Sequence, residues 1–173
     1  MRPLTNTAQR GRVPVLLDKD LAIWDSAAIY DYVLETQPGT VAWPHGKRER
    51  AVARSLCAEM HSGFNGIRSQ LPQNIRARRS PPPLSQNTLA EIARVEAMWA
   101  DCRNRYGGPW LFGEFSLADV VYAPVALRFV TYGITLKPAA QAFVAAIQEL
   151  PSIQRWATAS AAESERLAVV DDL

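Results

Sequence analysis

Val13-Pro14-Val15-Leu16-Leu17-Asp18-Lys19-Asp20-Leu21-Ala22-Ile23-Trp24-Asp25-Ser26 is the stretch on which the fold turns. Its first five residues form an apolar, β-branched run, Asp18-Lys19-Asp20 interrupts it, and Leu21-Ala22-Ile23-Trp24 follows. This predicts a β-hairpin with a short polar turn. The first run is apolar on both of its faces, which predicts a central strand covered above and below. A proline cannot donate a ladder hydrogen bond, so Pro14 marks the start of the strand or a special turn. The residues before it are polar and basic, and no later stretch offers a partner strand. A lone hairpin is marginal in water, so the sequence reads as if it begins partway through a sheet. Asp25-Ser26 starts a helix carrying Ile29, Tyr30, Val33 and Leu34, and Gln37-Pro38-Gly39 stops it.

Downstream of a linker that contains Trp43-Pro44, the periodicity is helical throughout. Val52, Leu56, Met60, Phe64, Ile67 and Leu71 recur at spacings of four and three, a single apolar stripe that predicts one long helix. Ser80-Pro81-Pro82-Pro83 breaks it, and Ser85 is placed to cap the next. Leu89, Ile92, Val95, Trp99, Cys102 and Tyr106 mark that second long helix, and Gly107-Gly108-Pro109 ends it. Ser116 and Asp119 then have the spacing of a capping box, with Phe115 and Val120 placed as its hydrophobic staple. The apolar run from Val120 to Tyr132 contains Pro124 and predicts a kinked, largely buried helix. Lys137-Pro138 opens a helix with Phe143 and Ile147 inward, and Pro151-Ser152 opens a last one carrying Ile153 and Trp156. The fold class expected is α+β, mostly α. Residues 1–38 form a partial α/β domain, 39–46 a linker and 47–173 an all-α domain.

Composition agrees with a globular protein: 173 residues, 48% hydrophobic and 21% charged, with a net charge of +2. That mix excludes disordered, collagen-like and small disulfide-stapled classes. No apolar run reaches the roughly 20 residues that span a bilayer, and the N-terminus lacks the apolar core of a signal peptide. Cys57 and Cys102 lie far apart inside helical patterns and read as buried thiols, which points to a reducing cytoplasm. Charge is uneven. Residues 47–79 carry eight basic and two acidic groups, whereas residues 85–173 carry seven and ten. The basic block reads as a solvated helix face, or as an attraction for an anionic substrate or nucleic acid. No nucleic-acid motif accompanies it, so no nucleic-acid partner is expected.

Two local patterns carry chemistry. A cis bond at Val13–Pro14 would turn the Val13 backbone outward and present its N–H and C=O to a ligand. Asp25-Ser26 sets a carboxylate and a hydroxyl beside the unpaired amides of a helix N-terminus. It is either a plain helix cap or a grip for an α-amino acid end. In the second case Ser26 and the helix amides take the carboxylate and Asp25 takes the ammonium. His61, beside Met60 and near Phe64, reads as a partly buried structural histidine or as the lining of an electrophile pocket. With only His45 and His61 and no ligand spacing, no metal site is expected.

Gly11-Arg12-Val13-Pro14-Val15-Leu16, then Trp24-Asp25-Ser26-Ala27-Ala28-Ile29, then Phe115-Ser116-Leu117-Ala118-Asp119 together resemble a bacterial glutathione S-transferase. The resemblance runs from about Arg12 to the end of the chain. It implies a thioredoxin-like part carrying a cis-proline strand, followed by the family's all-helical C-terminal domain. Val13, next to Pro14, would pair through its backbone with the cysteinyl part of glutathione. Asp25 and Ser26 would bind the γ-glutamyl amino and carboxylate groups, and Arg12 would face the tripeptide. Asp25 stands where the family more often has Glu, one methylene longer.

The family's first strand, first helix and second strand precede its Val-Pro strand, and the first strand ends in the Tyr, Ser or Cys that activates the glutathione thiol. This sequence has no counterpart of that segment; Thr5 and Thr7 are its only candidate donors, and no catalytic residue is assigned. A free thiol has a pKa of ~8.5, so conjugation at neutral pH needs its thiolate stabilised. The expected function is conjugation of glutathione, as co-substrate, to a hydrophobic electrophile by a cytoplasmic homodimer. The alternative is a non-catalytic, transferase-like scaffold for dimerisation or partner binding.

Overall fold

The computed structural model describes residues 13–37, 39 and 41–166, and the chain divides into two compact units, Met1–Ala42 and Trp43–Leu173. In the first, β1 (Leu16–Asp18) and β2 (Leu21–Ile23) pair antiparallel, and α1 (Ser26–Thr36) follows. Leu16 faces Ile23 and Asp18 faces Leu21, so only Lys19 and Asp20 make the turn, and Lys19 takes the left-handed backbone (φ +54°) that so tight a reversal needs. Tyr32 of α1 donates its hydroxyl to Asp18 at 2.6 Å, tying helix to hairpin.

The strand differs from the sequence expectation in two ways. It is shorter than the apolar run, because Val13, Pro14 and Val15 precede it. Nor is it covered: Leu17 is 55% exposed, Leu21 48%, and no described residue of this unit is buried. An apolar pattern reports what a strand is able to bury, not whether a second layer exists. Two strands and one helix, all that the described residues of this unit supply, are too little to cover both faces.

The second unit is helical: α2 (Lys47–Ser62), α3 (Asn65–Gln70), α4 (Gln86–Tyr106), α5 (Leu117–Thr131), α6 (Pro138–Glu149) and α7 (Pro151–Ala162). The single long helix expected from Val52 to Leu71 is therefore two. Gly63 caps α2, and Phe64 enters the left-handed region (φ 55°, ψ 42°) before α3 restarts. Arg68 secures the break by donating to the Met60 carbonyl at 2.8 Å and the Gly63 carbonyl at 3.2 Å, groups that a helix end leaves without partners. The stripe survives the break, since Leu56, Met60, Phe64, Ile67 and Leu71 are all buried; Val52, 38% exposed, falls outside it. The short helix α3 lies close on α4. A Cβ at Gly66 would sit 2.5 Å from the Thr88 hydroxyl, and the Glu91 carboxylate accepts the Ile67 amide at 2.8 Å.

Trp99 of α4 centres the core. Its ring meets Tyr122 edge-on at 5.9 Å, Phe129 at 6.0 Å and Phe143 at 4.6 Å, so one residue joins α4, α5 and α6. Such buried aromatic contacts supply about 0.5–1.5 kcal/mol each beyond area burial. Helix α5 is the most enclosed element, with buried residues on every side and Pro124 within it. Ser85 caps α4 as its position predicts, accepting the Thr88 amide at 3.2 Å.

Candidate functional site

The register of the hairpin gathers the two chemistry-bearing blocks of the first unit. Leu16 and Ile23 form its last pair, at the end away from the turn. Val13 and Pro14 lie just before Leu16, and Asp25 and Ser26 just after Ile23. Both blocks thus leave the same open end. The Val13–Pro14 bond is cis, as is Trp24–Asp25, the latter with no signal in the sequence. Val13 is 87% exposed. Arg12 lies outside the described residues.

Asp25 is the N-cap of α1, extended in backbone (φ −84°, ψ 178°), and its carboxylate accepts the Ala27 amide at 2.8 Å. Its carbonyl accepts the Ile29 amide at 3.0 Å, the first bond of the helix. Ser26 is the first helical residue and is half-buried. No residue of the first turn is acidic, so the Asp25 cap carboxylate is the acidic group that faces the positive end of the helix dipole. A carboxylate acceptor, a hydroxyl and helix-end amides therefore sit on consecutive residues. That set can receive an ammonium and a carboxylate borne on one carbon.

The helical unit carries the other groups singled out from sequence. His61, in the last turn of α2, is exposed rather than partly buried, while its neighbours Met60 and Phe64 are buried. Both cysteines are free and buried. Burial, with the Asp119 charge adding to it, pushes the Cys57 thiol up to about 12. Burial does the same at Cys102, to about 11. Ser116 and Asp119 form the expected capping box of α5, and the Asp119 carboxylate also accepts the Leu111 amide at 2.9 Å. Phe115 lies against Trp110, ring centres 4.9 Å apart. Among the described residues there is no group of His, Cys, Asp and Glu able to hold a metal ion. No described helix is long and apolar enough to cross a membrane.

Residues 73–159, from the end of α3 through most of α7, match the family "Glutathione S-transferase, C-terminal domain". The chain belongs to the glutathione S-transferase family. Solved structures share its fold. A glutathione transferase homologue from Burkholderia, with bound glutathione, is 24% identical with a TM-score of 0.64, over 88% of this chain and 76% of that one. The holo structure of maleyl pyruvate isomerase, a bacterial Zeta-class glutathione S-transferase, is 20% identical with a TM-score of 0.68, over 95% and 82%. A Phanerochaete chrysosporium protein cocrystallised with 1-(S-glutathionyl)-2,4-dinitrobenzene is 20% identical with a TM-score of 0.65, over 94% and 82%. No curated protein sequence matches the chain.

Proposed function

We propose that this chain binds glutathione at the open end of the β1–β2 hairpin and conjugates its thiol to a hydrophobic electrophile. The observation that carries the reading is that the hairpin register brings the Val13-Pro14 block and the Asp25-Ser26 helix start to that one end. In this reading Asp25 receives the α-ammonium of the γ-glutamyl group, and the Ser26 hydroxyl with the first amides of α1 receives its carboxylate. Val13 pairs by its backbone with the cysteinyl residue beside Pro14. Solved relatives of the same fold hold glutathione or a glutathionyl–dinitrobenzene conjugate, which supports the ligand class.

The reaction forms a carbon–sulfur bond between the glutathione sulfur and the electrophile while the bond to the electrophile's leaving group breaks (carbon–chlorine in 1-chloro-2,4-dinitrobenzene, releasing chloride), and the thiol proton goes to solvent. The chain's own part is to hold the tripeptide. We assign residues 1–38 to that role, 39–46 to a linker and 47–173 to the helical domain, in a cytoplasmic homodimer.

Calorimetry with glutathione is the direct test. Binding that weakens in Ser26→Ala supports the site. No heat in the unaltered chain would instead favour a non-catalytic scaffold. Turnover of 1-chloro-2,4-dinitrobenzene then separates binding from conjugation, and light scattering gives the oligomeric state.

A further inference from the structure

Helix α7 is attached to the helical unit at its two ends and weakly between them. At its start a single residue, Leu150 (φ −60°, ψ 127°), both ends α6 and caps α7, and its carbonyl accepts the Gln154 amide at 3.0 Å. One extended residue between two helices is a joint, and the ring of Pro151 keeps Leu150 out of the helical region. Along the helix none of the twelve residues is buried. Ile153, Ala157 and Ser160 are half-buried at spacings of four and three, which marks the inner face. Of these Ile153 alone is a large apolar side chain. Apolar burial therefore holds α7 far less than it holds α5.

The far end is clasped. Arg76, from the segment after α3, donates Nη1 to the Glu163 carbonyl at 3.1 Å and Nη2 to the Glu165 carbonyl at 2.9 Å, and the Ser160 carbonyl lies 3.5 Å from Nη1. A helix C-terminus leaves such carbonyls without partners, and a cation there complements the negative end of the dipole. The last turn of α7 has no basic residue of its own, so this charge comes from 84 to 89 positions away. The clasp has a fixed base. On one side of Arg76 the Asn74 carbonyl accepts the Thr131 hydroxyl of α5 at 2.6 Å, and on the other the Arg79 amide donates to the Thr131 carbonyl at 2.7 Å.

We propose that α7 is a hinged arm, jointed at Leu150 and latched closed by Arg76, which opens while the rest of the helical unit stays folded. The base of the latch is anchored on α5, so release frees α7 and leaves α4 and α5 in place. A lone helix of twelve residues is marginal in water, so the open arm also unwinds. Neither joint nor latch involves the hairpin, and the arm stands or falls apart from the glutathione reading.

The test is amide hydrogen exchange of the full chain, read by mass spectrometry at denaturant concentrations below the unfolding transition. In the unaltered protein the amides of residues 152–162 exchange through an opening of their own, ahead of those of α4 and α5. Arg76→Met speeds their exchange roughly ten-fold or more, the loss of hydrogen bonds from a charged donor, and leaves α4 and α5 as they were. Arg76→Lys keeps the charge without the fork that spans two carbonyls, and gives a smaller rise. If α7 of the unaltered protein exchanges only through global unfolding, there is no arm. If Arg76→Met leaves α7 unchanged, or speeds α4, α5 and α7 alike, Arg76 is not its latch.

Discussion

The carboxylate of Asp119 accepts the amide of Leu111 at 2.9 Å and the amide of Ser116 at 2.8 Å, with the Ser116 hydroxyl on the same oxygen at 3.0 Å. One fully buried side chain thus fixes both the start of α5 and the loop that leads to it. Asp119→Ala strips the acceptor from these donors. The expected loss is about 3–5 kcal/mol, at about 1–3 kcal/mol per buried group left unpaired. Urea unfolding of the variant measures it, and a loss below 1 kcal/mol would show that the loop relaxes to other acceptors.

At the hairpin, charge and capping can be separated. Asn caps a helix as well as Asp does, so Asp25→Asn is expected to leave thermal stability unchanged. It removes the negative charge offered to an ammonium, so the Kd for glutathione should rise at least ten-fold. Asp25→Ala is expected to lose about 1 kcal/mol as well, because the bond to Ala27 goes too. Unchanged affinity in both variants would reduce Asp25 to a structural cap.

Two carboxyls drive stability in opposite directions as pH changes. The paired hydrogen bonds from Arg94, at 2.8 Å each, hold the Glu59 carboxyl below its ordinary value, with burial opposing. Its stabilisation is present above the unfolded pKa of roughly 4.3 and is lost as pH falls through the lower folded value. The pair is substantially exposed, so about 0.2–1 kcal/mol is expected, and less in high salt. Burial holds the Asp119 carboxyl above its ordinary value, with the Leu111 and Ser116 hydrogen bonds opposing. Its linkage runs the other way: the contribution is full below roughly pH 3.9 and is lost as pH rises through the folded value. Urea unfolding of Glu59→Gln between pH 3 and 6 should show a flatter acid limb than the unaltered protein. An unaltered limb would mean that the pair contributes nothing.

Both thiols should be silent in the native state. Cys57 and Cys102 are buried and pushed up to about 12 and about 11, so at pH 8 essentially no thiolate exists. Titration with a disulfide reagent is expected to release nothing from the native chain and two equivalents in denaturant. Rapid native reaction of either cysteine would contradict its enclosure.

The helical unit was largely legible in the sequence, because helix caps, prolines and a 3.6-residue period are local signals. Ser85, the Ser116–Asp119 box and the prolines opening α6 and α7 all stand at helix starts. The break at Gly63–Phe64 was hidden, since a stripe that stays buried on both sides of a bend has the same spacing as an unbroken helix. The candidate site was legible as two motifs. Their meeting was not, since it follows from the Leu16–Ile23 register.

Residue order alone therefore settled most of the helical segments, where most of them begin, and much of the apolar stripe that α4, α5 and α6 bury, though not the break after Ser62 nor the exposure of Val52, Leu89 and Trp156. Local backbone sterics and alternation of apolar residues act over a few positions and need no distant partner. Tertiary structure decided the rest: that Leu17 and Leu21 stay half in water, and that Arg128 meets a backbone carbonyl instead of a carboxylate. Burial and electrostatic pairing depend on neighbours dozens of residues away, and no short window of sequence contains them.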